Sequence, residues 1–474
     1  MKSRPISTAP PGAWLAVRAA MQIRFDRGTI VIAGAHGPVD PATLPGTVWD
    51  PRVRVWRAPA DAHAAIVARL GSAVRVPRAS VGDDGGVEGG WTMPELRWYQ
   101  REALQAWASA GRRGVVALPT GAGKTIVAVA AISSCRVPAL CLVPTRVLLD
   151  QWAQVLGRHV DDVGRIGDGA RVVAPVTVAT YASAISWAPR IGDRFGLVIV
   201  DEAHHVGASC PVDILEMLVA DARLGLTATP PVGDARAIVE RHVGAVIYTL
   251  SVDALVGDAL ADFDLVTIPI RLNADERRRY DAARLRFATA FSTFQRAAPG
   301  ADWAAFVAAA MRSDAGRQAL AGWRASRELL AYPEDKRNVV RELLMRHHDQ
   351  RVLVFTQDNQ TAYRIARELL VYPITHEIGR RERARVLERF RKGEITVLVS
   401  SQVLDEGLDV PEAEIAIIVG GSASTRRYVQ RIGRVLRRSP GKRARVYELT
   451  VADTVEVEQV RRRRMGLVGA EVAA

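Results

Sequence analysis

From Pro94 onward, apolar residues fall into short unbroken runs, separated by longer stretches in which they recur every three to four positions. The runs at 114–118, 139–143, 176–180, 197–200 and 223–227 read as buried strands, and several of the intervals between them read as helices. A second series opens near Arg351, with runs at 352–356, 395–400, 415–419 and 444–449. Such alternation predicts an α/β chain with two parallel sheets in tandem, each covered by helices.

The flanking regions differ in texture. Residues 1–20 are rich in Pro and Ala and predict a flexible N-terminus. Gln22-Ile23-Arg24-Phe25, a turn at Asp26-Arg27-Gly28 and Thr29-Ile30-Val31-Ile32 alternate like a hairpin; Val48–Arg57 reads as a further strand and Ala60–Leu70 as a short helix. Together they predict a small α/β domain over 21–76. Residues 77–93, which include Asp83-Asp84-Gly85-Gly86-Val87-Glu88-Gly89-Gly90, read as a linker flexible enough to tether it. The large sheets then occupy 94–250 and 333–455. Residues 251–332 form a connecting and helical insertion, where Phe287, Phe291 and Phe294 share one helix face and read as core, and 456–474 form a basic tail. Arg277, Arg278 and Arg279 could touch phosphate or form a solvated face.

Composition narrows the class. The chain has 474 residues, 49% of them hydrophobic, and a net charge of +13. An excess of Arg and Lys points to a nucleic-acid partner. From Pro333 to the end there are 27 Lys and Arg against 20 Asp and Glu, so over half of the net charge sits in under a third of the chain. No apolar run approaches the 18 residues or so of a membrane span. The three cysteines, Cys135, Cys141 and Cys210, lack metal-ligand spacing and suggest reduced thiols in a cytoplasmic protein.

Against this background Leu118-Pro119-Thr120-Gly121-Ala122-Gly123-Lys124-Thr125 stands out, since Lys124 is one of only five lysines. A strand, a glycine turn and a helix start make a phosphate cradle. Gly121 and Gly123 would admit phosphate oxygens to bare N–H groups, Lys124 would place its charge on the β and γ phosphates, and Thr125 would offer its hydroxyl to Mg²⁺. The strict loop pattern has Gly where this chain has Leu118, so an ordinary glycine turn is the alternative. Leu197–Val200 is followed by Asp201-Glu202-Ala203-His204. A carboxylate there can hold Mg²⁺, the role that fits Asp201, and its neighbour Glu202 can activate water; an acidic loop after a strand is the plainer reading. Gln100, in Leu96-Arg97-Trp98-Tyr99-Gln100, could read an adenine edge or be a surface glutamine. In Gln430-Arg431-Ile432-Gly433-Arg434-Val435-Leu436-Arg437, Arg434 and Arg437 lie three apart on a helix and could neutralise phosphate charge or simply be solvated.

Taken together these stretches resemble superfamily 2 DEAH-type helicases, most of all the XPB group of DNA helicases and translocases, over about Pro94–Val451. The resemblance also takes in Val143-Pro144-Thr145-Arg146, Thr180-Tyr181, Leu226-Thr227-Ala228-Thr229-Pro230, Val354-Phe355-Thr356 and Ser400–Asp409. The leading Gly is dispensable in that family. The resemblance implies two tandem RecA-like P-loop domains with ATP and Mg²⁺ between them. Arg97, Gln100, Pro119, Thr120, Gly121, Ala122, Gly123, Lys124, Thr125, Gly407 and Asp409 would bind nucleotide. Thr125 and Asp201 would hold the metal, and Lys124, Asp201, Glu202, Gln430, Arg434 and Arg437 would serve catalysis. His204, Thr227 and Thr229 would couple hydrolysis to movement, with a structural role open for His204. Thr145, Arg146, Thr180, Tyr181, Thr356 and Ser400 would touch nucleic acid. Residues 21–76 look like the small DNA-facing domain of the group. Two departures are Trp98, where the group has Pro, and Pro231–Arg236, where it often carries Arg-Glu-Asp.

The function implied is an ATP-dependent DNA helicase or duplex translocase in repair, acting on duplex and single-stranded DNA, cytoplasmic, monomeric and away from membranes. An RNA helicase or remodeller, and an ATP-gated DNA-binding scaffold for a nuclease partner, remain the alternatives.

Overall fold

The computed structural model describes residues 22–33, 39–70, 91–251, 253–255, 263–401, 413–421, 428 and 444–464. The expected flexible N-terminus 1–20 and residues 77–90 of the expected linker lie outside them. The described residues fall into two compact units, one within Met1–Val115, Ala128–Gly225 and Pro231–Ile247, the other within Val116–Val127, Leu226–Pro230 and Tyr248–Ala474.

The small N-terminal domain is a four-stranded sheet in the order β1-β2-β4-β3. Strands β1 (Gln22–Asp26) and β2 (Thr29–Ala33) pair antiparallel across Arg27 and Gly28, which both take positive φ, 50° and 87°. Two left-handed residues make the tight turn whose twist suits a two-residue hairpin. Val48–Arg57 is not one strand. It folds back on itself as β3 (Val48–Asp50) and β4 (Val55–Pro59), because Pro51 has no N–H to extend a ladder and Arg54 turns the chain at φ 54°. Helix α1 (His63–Leu70) brings Ile66 and Leu70 onto Ile23, Ile30 and Ile32.

This domain is seated on the sheet that follows it. Val219 joins its core. A Cβ on Gly28 would lie 2.4 Å from Met217 Cγ, and one on Gly192 would lie 2.9 Å from Phe25 Cζ. The hairpin turn therefore fits the opposite surface closely in shape, and Asp61 of the same domain stands 3.9 Å from His242.

The eight-stranded sheet has the order β12-β5-β11-β10-β6-β9-β7-β8. Its strands are β5 (Arg113–Ala117), β6 (Ala139–Val143), β7 (Val163–Gly167), β8 (Ala170–Val172), β9 (Val176–Thr180), β10 (Leu197–Asp201), β11 (Ala222–Thr227) and β12 (Val246–Thr249). The pairs β10–β6, β6–β9 and β9–β7 run parallel, and β8 is antiparallel to β7. Every residue of β6, β9 and β10 is buried, the signature of strands covered on both faces. The helices are α2 (Trp98–Ser109), α3 (Lys124–Cys135), α4 (Arg146–Leu156), α5 (Tyr181–Ile191), α6 (Val212–Glu216) and α7 (Asp234–His242). Arg223 lies fully buried, its guanidinium caged by the carbonyls of Leu215, Leu218, Ala220 and His242, and burial pushes its pKa down to about 10. Cys135, Cys141 and Cys210 are free thiols; burial raises all three, Cys210 to about 12.

The second unit carries a six-stranded sheet in the order β13-β18-β17-β14-β16-β15, each neighbouring pair parallel. Its strands are β13 (Phe263–Ile270), β14 (Val352–Phe355), β15 (Tyr372–Ile374), β16 (Val397–Ser400), β17 (Ile415–Ile418) and β18 (Ala444–Val451). Part of the expected insertion, β13, is thus an edge strand of this sheet. The remainder is helical: α8 (Ala274–Ala297), α9 (Trp303–Ala310) and α10 (Asp314–Ala331). Phe287, Phe291 and Phe294 pack there with Phe306 and Trp323, as their spacing predicts. Arg277 donates to the carbonyls of Ala452 and Asp453, while Arg278 and Arg279 pair with Asp275. Helices α11 (Glu334–Arg346), α12 (Asn359–Leu369) and α13 (Arg380–Arg391) cover the sheet. Val455–Arg464, expected mostly as basic tail, is helix α14; Lys336 on α11 meets Glu456 at 2.9 Å, and Arg463 meets Glu448 at 2.6 Å.

Candidate functional site

The phosphate-loop segment leaves β5 and ends where α3 begins at Lys124. Gly121 and Gly123 hold φ of 90° and 78°, a conformation that side chains rarely adopt. Pro119 O accepts from Ala122 N–H at 3.2 Å, and Gly123 O from Ile126 N–H at 2.9 Å, which closes the turn and starts the helix. Lys124 Nζ donates to Leu118 O at 3.2 Å. The main chain of Leu118 is tied to the coupling segment, its N–H donating to Thr227 O at 3.0 Å. Thr227 is buried; its hydroxyl donates to Thr229 O at 2.8 Å and accepts from Thr229 N–H at 3.2 Å, so both threonines form one closed turn.

Asp201 ends β10, is 7% exposed, and has both carboxylate oxygens in hydrogen bonds. Oδ1 accepts from Glu202 N–H at 3.0 Å, and Oδ2 accepts from the Trp152 indole at 2.9 Å. Glu202 follows in the left-handed region, φ 51° and ψ 51°, which turns its side chain out of the strand direction. Its Oε2 lies 3.4 Å from His204 Nδ1, and His204 stacks on His205 with ring centres 4.3 Å apart. In sheet order β11 separates β5 from β10.

Several other motif residues have partners within the chain. Gln100 is buried, and its Oε1 accepts from Arg97 N–H at 3.0 Å, which satisfies the main-chain donor just ahead of α2. One lone pair of that acceptor thus already serves the chain. Thr145 and Thr180 are helix caps: Thr145 Oγ1 accepts from Leu148 N–H, and Thr180 Oγ1 accepts from Ser183 N–H. Tyr181 is buried and donates its hydroxyl to Asp201 O, so its side chain turns inward rather than toward a strand. Burial raises its pKa well above the usual phenol value, with Cys210, Asp201 and Glu202 adding to it. Thr356 and Ser400 are fully buried as well, and Thr356 Oγ1 donates to Asp358 O at 2.9 Å. Arg146, exposed at the start of α4, pairs with Asp168 at 3.2 Å. Gly407, Asp409, Gln430, Arg434 and Arg437 lie outside the described residues. Trp152 is the residue that sequence reasoning passes over: an indole in an amphipathic helix looks like core.

Three family profiles match this chain. That of the "Type III restriction enzyme, res subunit" covers 93–232, the "Helicase conserved C-terminal domain" covers 335–439, and the "Xeroderma pigmentosum group B helicase damage recognition domain" covers 23–74. The fold is similar to the Hef helicase domain of Pyrococcus furiosus, with a TM-score of 0.53 at 21% identity over 77% of this chain and 97% of that one. The two sheets and these profiles define a superfamily 2 helicase with two RecA-like domains and a small N-terminal α/β domain.

Among relatives, a DNA 3'-5' translocase XPB2 of Sulfurisphaera tokodaii is 36% identical over 78% of this chain and 84% of its own length. A DNA 3'-5' helicase XPB of Kineococcus radiotolerans is 32% identical over 80% of this chain, which spans 63% of that relative. The chain belongs to the XPB family of DNA helicases and translocases. Among the described residues no helix is long and apolar enough to cross a membrane.

Proposed function

We propose that the chain is an ATP-driven DNA translocase or helicase of 3'-5' polarity that works in DNA repair. The observation that carries the reading is the phosphate-loop backbone: two glycines at positive φ immediately ahead of a helix that opens on Lys124. That segment fits a triphosphate, because bare N–H groups and a helix N-terminus favour an anion and Lys124 adds an ammonium. The donor set at Asp201 fits magnesium, a hard cation that takes one or two carboxylates together with phosphate oxygens. Mg²⁺·ATP would supply the phosphoanhydride whose cleavage drives movement.

The chain's own residues divide the work. Lys124 would bind phosphate charge, Thr125 and Asp201 would hold the metal, and Glu202 would take the proton of an attacking water. Gln430, Arg434 and Arg437 would neutralise phosphate charge from the second domain, and Arg97, Gln100, Gly407 and Asp409 would complete nucleotide binding. The Thr227–Thr229 turn, bonded to Leu118, is the coupling element we assign between phosphate loop and strand-contacting loops. Arg146 and the capped starts of α4 and α5 would meet DNA, and the N-terminal domain, of the damage-recognition type, supports a role in repair.

The test is ATP hydrolysis with duplex DNA, single-stranded DNA and RNA, for the native chain and for Lys124→Ala. We expect DNA-stimulated turnover that falls by roughly 10²–10³-fold in the variant without loss of folding. Stimulation by RNA alone would overturn the DNA reading. Strand displacement by the chain alone separates a helicase from an ATPase that gates a nuclease partner.

A further inference from the structure

We propose that Trp152 is a positioning residue for Asp201, and that with Tyr181 it connects the caps of α4 and α5 to the carboxylate assigned above to the metal. The proposal rests on that assignment. In sheet order β10, β6 and β9 are neighbours, and all three run parallel. Asp201, Val143 and Thr180 therefore end their strands along one edge of the sheet, the edge where ligands bind in such folds. From this edge α4 starts behind Thr145 and α5 behind Thr180, each capped by a threonine hydroxyl.

Both helices reach back to the same residue. Trp152, 2% exposed, lies two turns into α4 and donates to Asp201 Oδ2 at 2.9 Å. Tyr181, the first residue of α5, donates to Asp201 O. The terminal torsion of an aspartate is broad, so one hydrogen bond leaves its carboxylate free to rock. Here Glu202 N–H holds one oxygen and the indole holds the other, which fixes the carboxylate plane. Packing alone would be satisfied by Phe; a buried indole N–H demands a partner, and this one has a carboxylate. A strand engaged at the start of α4 or α5 thus acts on Asp201 through one hydrogen bond each. By linkage, metal–nucleotide occupancy must alter affinity for the strand by the same factor.

The experiment measures equilibrium binding of a fluorescent ADP by the full chain, titrated with Mg²⁺, with and without a single-stranded oligonucleotide. Trp152→Phe keeps the aromatic core and loses the donor. We expect its Mg²⁺ half-saturation to weaken by roughly tenfold, since a hydrogen bond to a charged group is at stake. ADP affinity in the presence of a chelator stays as in the native chain, and the effect of the oligonucleotide on Mg²⁺·ADP affinity shrinks toward none. A lowered melting temperature with Mg²⁺ dependence and oligonucleotide effect intact would overturn the proposal and leave Trp152 a core residue. Tyr181→Phe, which removes only a hydroxyl, is expected to keep the Mg²⁺ half-saturation and lose part of the oligonucleotide effect. It decides the α5 link, and decides the coupling by itself should Trp152→Phe not fold; an unchanged oligonucleotide effect would refute it. If the native chain shows no Mg²⁺-dependent ADP binding, the functional assignment itself has failed. If it does and Trp152→Phe matches it, only the present inference has.

Discussion

Two buried carboxylates, one in each unit, are held in opposite ways. Glu448 on β18 is fully buried and meets charge with charge: Arg463 reaches it at 2.6 Å, Arg464 bonds to it as well, and Tyr428 donates at 3.3 Å. Lys336 and Glu456 repeat the scheme nearby. Asp201 instead takes hydrogen bonds from an indole and a main-chain N–H, both uncharged. Uncharged donors fix a carboxylate's direction without cancelling its charge, whereas arginines do both. The first arrangement suits a group that must still attract a cation; the second closes a fold. It also removes Arg463 and Arg464 from the basic surplus available to phosphate.

That contrast can be broken by substitution. Glu448→Gln leaves the buried guanidinium of Arg463 and the half-buried one of Arg464 facing a neutral amide, and breaking a buried pair costs about 3–5 kcal/mol. Asp201→Asn keeps one oxygen for its two uncharged donors and sets an amide against the other, and is expected to cost about 1–2 kcal/mol. Urea unfolding followed in each unit reads both, and equal losses would end the distinction. A contact made by shape, at the hairpin turn, marks the middle of the range. Gly28→Ala pushes a methyl group into Met217 and is expected to loosen the N-terminal domain by about 1–3 kcal/mol. The increment caused by the methyl group is expected to be the same at low and high salt, read by proteolytic release of the domain; an increment that changes strongly with salt would refute the steric account.

The smallest effect concerns His242, which neither scheme holds. Burial lowers its pKa, Arg241 and Arg223 add to this, and Glu216 and Asp61 oppose it. Its folded pKa is therefore below the unfolded value of about 6.5, so the unfolded chain takes up the proton first as the solution is acidified. Its share of stability is present above that value and is lost as pH falls below it. Melting between pH 7.5 and 5.5 is expected to show a shallower decline in His242→Gln than in the native chain; parallel curves would refute the assignment.

Much of the fold is legible in the sequence because strands buried on both faces are unbroken apolar runs: 139–143, 176–180 and 415–418 are found within a residue of where they are read. Strands that break that rule are not. Phe263–Ile270 holds Asp264 and Pro269 at a sheet edge, Val163–Gly167 carries two glycines, and β3 and β4 merge into one apparent run across Pro51. At the site, the segments that bind by backbone are visible as glycine patterns. The hydrogen bonds that position Asp201 come from residues 49 and 20 positions away, and no local spacing encodes them. Gln100 shows the converse: a motif marks the residue, while the fold engages its amide oxygen in capping α2.

The caged Arg223 bears on why a chain with 64 basic residues uses lysine only five times. Withdrawn from water among carbonyls at the ends of α6 and α7, the guanidinium still binds its proton with a pKa of about 10. A lysine begins roughly two units lower in water, near 10.4, and the same withdrawal would bring it close to losing its proton at neutral pH. Lys336, equally withdrawn, keeps a glutamate beside it. An arginine-rich vocabulary thus gives a protein cations that stay ionised wherever the fold puts them, and interior joints whose strength does not follow the acidity of the cell.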